Sequence, residues 1–183
     1  MNRRSLVLVA LVAIVLAACG GSDPTVEAVI DPEGETTGFA DFSNGTEKTF
    51  GVFICTNGGE VGVKTVSPVK TEGDIAYLGA SIYTSPDMFV GAAHGYPADG
   101  IDESRIDPAE GASLESDCAD PEGDNRVQLL IGAQRIGAGG GVIDGVILTT
   151  SNGQELEIPL TILLCGNEME YCEILVPEEE NGA

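Results

Sequence analysis

An all-β, two-sheet sandwich is the fold this sequence predicts, and three observations lead there. Apolar residues alternate with period two in several short runs, turn-forming dipeptides fall between those runs, and no window keeps a helical period. The chain has 183 residues, 43% of them apolar, with 25 Gly, no Trp and only 5% aromatics. That length supplies one packed domain, and the composition gives it a Val, Ile and Leu core broken by frequent turns.

The first run holds Phe50, Val52 and Ile54 on one face and closes at Cys55. Asn57-Gly58-Gly59 follows, then Val61, Val63 and Val66. Asn-Gly between two β-branched runs predicts a hairpin, because both residues tolerate positive φ. A third strand spans Asp74 to Tyr83, and a short fourth is expected over Met88–Ala92. Further on, Val127, Leu129, Ile131 and Ala133 share a face, and Gly137–Gly141 reads as a hairpin loop into Val142, Val146 and Leu148. Ser151-Asn152-Gly153 then turns the chain into Leu156, Ile158, Leu160, Ile162 and Leu164, where Pro159 requires a bulge or an edge. About seven strands at this spacing predict an immunoglobulin-like sandwich; a small closed β-barrel is the alternative.

The charge excludes one class of partner. Thirty acidic against eight basic side chains give a net charge of -22. A nucleic-acid binder replaces phosphate counterions with Lys and Arg, so no nucleic acid is expected as a partner.

The N-terminus is the most specific segment. Arg3 and Arg4 precede an apolar stretch from Leu6 to Ala18. As a helix that stretch spans roughly 20 Å, short of the ~30 Å hydrocarbon core, which fits a signal peptide rather than a permanent span. It ends in Leu16-Ala17-Ala18-Cys19-Gly20, and there the sequence resembles bacterial lipoproteins. The resemblance implies that the Cys19 thiol receives a diacylglycerol and that cleavage leaves it as the first mature residue. The chain is then held at the cell membrane, on the extracytoplasmic face, by lipid on Cys19. Loss of Arg3 and Arg4 takes the net charge from -22 to -24. Residues 48–165 also resemble, loosely, uncharacterised lipid-anchored or secreted β-sandwich proteins of high-GC Gram-positive bacteria, a likeness that implies no activity.

The expected organisation is therefore a signal peptide at 1–18, an acidic flexible tether at 19–47, a sandwich domain at 48–176 and an acidic tail at 177–183. The tether has seven acids up to Glu47, no Lys or Arg, and the breaker Asp31-Pro32-Glu33-Gly34. As a coil it would reach roughly 30 Å; an edge strand at Val26–Ile30 is the alternative.

Beyond Cys19 four cysteines remain, an even number that implies two disulfides outside the cytoplasm. The preferred pairing is Cys165–Cys172 with Cys55–Cys118; the rival is Cys55–Cys165 with Cys118–Cys172. Candidate chemistry concentrates in 84–125, where 42 residues hold eleven acids. Asp117, Asp120, Glu122 and Asp124 have the alternating carboxylates of a calcium loop, although a helix-loop-helix site would need Glu where Ile131 stands. His94, the only histidine, lacks the Gly-x-Ser-x-Gly elbow that a serine hydrolase needs. No catalytic residue and no cofactor are expected, with calcium the one candidate ion. The reading is a non-catalytic binding module of the cell envelope whose protein or envelope partner the residues do not name. The alternative is a calcium- or other metal-binding protein, or a hydrolase, working through 84–125.

Overall fold

Strand propensity, alternation and Gly-rich corners produce two packed sheets. The computed structural model describes residues 23–31, 33–39, 45–85, 89–120 and 126–166. In chain order the strands are β1 (Thr25–Val29), β2 (Glu35–Phe39), β3 (Glu47–Asn57), β4 (Val61–Gly73), β5 (Ile75–Thr84), β6 (Ala92–His94), β7 (Ile106–Pro108), β8 (Ser113–Leu114), β9 (Val127–Arg135), β10 (Gly140–Thr150) and β11 (Glu155–Cys165). One sheet runs β1-β3-β9-β5-β7, with β6 also on β3; the other runs β2-β11-β10-β4-β8. Open edges on both sheets make this a sandwich and not a closed barrel. The orders β1-β3-β9-β5 and β4-β10-β11 are those of strands A-B-E-D and C-F-G in an immunoglobulin domain. No helix among the described residues is long and apolar enough to cross a membrane.

The alternating positions form the core. Phe50, Val52 and Ile54, beside Leu129 and Ile131 of the same sheet, pack with Ile143, Leu148, Ile158 and Ile162 of the other, all buried. Pro159 sits where the β10–β11 register shifts, opposite Gly145. The bulge removes the ladder position that a proline N–H would have had to fill.

Two expected hairpins are corners between sheets instead. Asn57 remains in β3, paired with Thr25, while Gly58 and Gly59 both take positive φ and carry the chain across to β4. The dihedrals that close a tight hairpin also turn a strand out of its sheet, and the inward face of β4 decides which occurs. The Gly137–Gly141 run joins β9 in one sheet to β10 in the other. There the chain packs backbone to backbone: a Cβ on Gly140 (φ +71) would lie 2.3 Å from the Leu164 carbonyl oxygen. Asp74 holds the corner, its N–H donating to Gly140 O (2.7 Å) and its Oδ2 accepting from Gly139 N (3.1 Å). The short strand expected over Met88–Ala92 lies later, at β6.

The expected flexible tether is also corrected over 25–39. It contains β1, antiparallel on β3, and β2, parallel on β11, separated by a turn in which Gly34 N donates to Asp31 O (2.8 Å). The edge-strand alternative at Val26–Ile30 is thus close to what is observed. Main-chain pairing holds this segment, so it needs little apolar surface; Val26 alone is fully buried. Gln154 clamps it, its Oε1 accepting from Val26 N and its Nε2 donating to Val26 O, each at 2.8 Å. Gln154→Ala is expected to cost about 1–3 kcal/mol through the two orphaned main-chain groups. The check is amide exchange at Val26, which should accelerate; unchanged protection would contradict the clamp. Expectations for Cys19, Cys172, Glu122, Asp124 and the 177–183 tail fall on residues outside those described.

Candidate interaction surface

Within the acidic stretch 84–125, the described residues 89–120 form a second layer along the outer face of the first sheet. It leaves β5 at Thr84, runs beside β3 as β6 and crosses the sheet. A 3-10 turn (Glu103–Arg105) then leads to β7 on β5, and β8 completes the path on β4. Val90 and Ala98 bury against Tyr83 and Leu130 of the sheet, with Ala93, Ile101 and Ile106 packed around them. The Tyr96 ring lies flat on Gly132, where a Cβ would come within 2.6 Å of it. Its hydroxyl lies 3.1 Å from Ser81 Oγ, and burial raises its pKa above the ordinary tyrosine value of 10.0. Burial likewise raises that of Tyr77, whose hydroxyl donates to Val66 O (3.0 Å). The apolar residues of this layer are single and aperiodic, so alternation did not reveal that it packs.

One part of the layer turns outward. Phe89 is 57% exposed and stacks on Phe53 of β3, ring centroids 4.8 Å apart and planes at 22°. Val29, 48% exposed, is the direct partner of Phe53 in the β1–β3 register, so both side chains stand on the same outer face. Two of nine Phe and Tyr residues thus sit in an open apolar patch on a protein poor in rings. Phe89 escaped the sequence reading because an isolated Phe in a turn-rich segment has no periodic context.

The cysteines and acids close the end of the sandwich beside this patch. Cys55 on β3 is bonded to Cys118, S–S 2.07 Å and Cα–Cα 4.9 Å, which excludes the rival Cys55–Cys165 pairing. Cys165 is disulfide-bonded too, to a partner outside the described residues. Asp117 bridges Thr56, and its Oδ1 accepts from Ala119 N (2.8 Å) in its own turn. Asp120 N donates to Asp117 O (3.0 Å), and both side chains are exposed. Among the described residues no group of three or more His, Cys, Asp or Glu is placed to hold a metal ion.

His94 is exposed on β6 and engaged. Lys48 Nζ lies 2.6 Å from its Nδ1, which therefore accepts, while the same ammonium sits 4.5 Å above the Phe39 ring. Lys48 is only 2% exposed, a burial that a lysine at a strand start does not announce. Shallow grooves lie among the described residues, and two of them are defined by these linings. One, of about 340 Å³, is lined by Ser81, Pro97, Glu103, Ile106 and Pro108. The other, of about 240 Å³, sits over the Pro159 bulge between Glu35, Asp144 and Glu157.

No protein-family model and no curated protein matches the chain. Among solved structures, the secreted serine protease VesC from Vibrio cholerae aligns with 76% of this chain at a TM-score of 0.31 and 9% identity. The chain spans 23% of that protein's length, and a likeness of this size carries no argument about activity.

Proposed function

We propose that the chain is a membrane-anchored extracytoplasmic lipoprotein, a non-catalytic binding module that meets an envelope partner through the Phe53–Phe89–Val29 patch. The address rests on Leu16-Ala17-Ala18-Cys19, whose residue types, spacing and position all match a lipobox. Binding rests on one observation: the exposed Phe89 ring stacked on half-buried Phe53, with exposed Val29 beside it. Aromatic anchors dominate binding energies when a partner desolvates them, and a soluble chain exposes such a cluster at a cost unless it is used.

The test is crosslinking in intact cells of the wild type and of Phe89→Asp. The wild type should yield discrete crosslinked envelope proteins. The variant should lose them at unchanged melting temperature, since Phe89 contributes little to the core. An identical crosslinking pattern for both would contradict the assignment of the patch.

A further inference from the structure

We infer that the end of the sandwich carrying the β3–β4 and β10–β11 turns faces the bilayer at close range, leaving the opposite end and the side walls to partners. This rests on the lipidation of Cys19 proposed above. Four residues, hence five Cα–Cα steps, separate Cys19 from Pro24. The Pro24 carbonyl is fixed by Asn152 Nδ2 of the β10–β11 turn (2.7 Å), and β1 then pairs with β3 from Thr25 onward. Whatever conformation they take, those five steps span at most about 18 Å. The two strands found in the expected tether thus shorten the leash to a fraction of its apparent length.

The end held there is defined by Asn57–Glu60, Asp117–Ala119 and Ser151–Gly153. It carries Glu60 and Asp117, with Asp120 next along the chain, and no Lys or Arg within those turns. Such a surface has no electrostatic attraction for lipid phosphates, so it stands against headgroups without inserting. In immunoglobulin variable domains the corresponding turns bind the ligand; here the leash turns them toward lipid. Phe53 pairs with Val29, four residues up β1 from Thr25, about 13 Å higher on the side wall. With the leash added, the aromatic patch stands within about 30 Å of the membrane. Its partner is therefore a membrane-proximal protein surface, met side-on.

The experiment places the native lipidated protein in nanodiscs doped with headgroup-spin-labelled lipid, and reads amide broadening by NMR after mass spectrometry of Cys19. Amides of Asn57–Glu60 and Ser151–Gly153 should lose several-fold more intensity than those of Gly137–Gly140 at the far end. Inserting 30 Gly/Ser residues between Ser22 and Asp23 lengthens the mean reach to about 30 Å and should erase the gradient. Equal broadening at both ends of the lipidated wild type, or stronger broadening at Gly137–Gly140, overturns the orientation while leaving the lipoprotein assignment intact. An unlipidated Cys19 removes both.

Discussion

Replacing Cys55 and Cys118 together by alanine is expected to lower stability by about 4 kcal/mol. The bond closes a loop of sequence separation 63, and chain-entropy arithmetic gives that magnitude for the freedom returned to the unfolded state. The loop contains β4, β5 and the second layer as far as Cys118, and so includes the short, sparsely paired strands of that layer. Next to it Thr56 N and Oγ1 both reach Ser116 O, and Cys118 N donates to Thr56 O (3.1 Å). These bonds remain when the sulfurs are gone, so the variant should fold to the same structure with a lower midpoint. Denaturant unfolding of oxidised wild type and variant measures the difference; a loss under 1 kcal/mol would mean that the bridge constrains little.

Gly51→Ala should be nearly as costly, about 3–5 kcal/mol. A Cβ at this position would sit 1.9 Å from the Val90 carbonyl oxygen and 3.2 Å from Gln128 Oε1. The obstacle is main chain, so no rotamer change relieves it. Moving the layer away breaks Gly51 N to Gly91 O (3.0 Å) and Val90 N to Gln128 Oε1 (2.8 Å), and leaves the fully buried Gln128 amide without that partner. Leu130 beneath would be uncovered. The comparison is Gly100→Ala in the same layer, which meets nothing within 4 Å and loses only its positive-φ freedom (φ +81), about 1 kcal/mol. Amide exchange over Val90–His94 should become fast in Gly51→Ala and stay slow in Gly100→Ala. Equal stabilities for the two would contradict the close approach.

Strands buried through their side chains were legible in the sequence; those held through their backbones were not. β3, β9 and β11 bury alternate residues such as Phe50, Leu129 and Ile162, and alternation is the signal that such burial leaves. β1 and β2 lie on sheet edges, where main-chain bonds to β3 and β11 and the Gln154 clamp replace apolar burial, so an acidic, breaker-rich sequence still folds. Asn57-Gly58 shows that local dihedral preference marks a reversal without saying in which sheet the next strand lands. The cysteine count set a short menu, from which the proximity of Cys55 and Cys118 selects one bond. Of the four carboxylates in the calcium reading, Glu122 and Asp124 lie outside the described residues. The described part of 84–125 forms three short strands, and the Asp117 carboxylate accepts from its own turn. Lys48 and Phe89 reversed the usual preferences, one buried and one exposed, and each is explained only by neighbours distant in sequence.

The membrane address and the orientation of the domain both depend on residue 19 bearing lipid. Intact-mass spectrometry of the protein purified from its native membrane addresses this directly. The expected species begins at Cys19, lacks residues 1–18 and carries a diacylglycerol mass on its first residue. A free thiol at Cys19, or a chain still bearing residues 1–18, would contradict it.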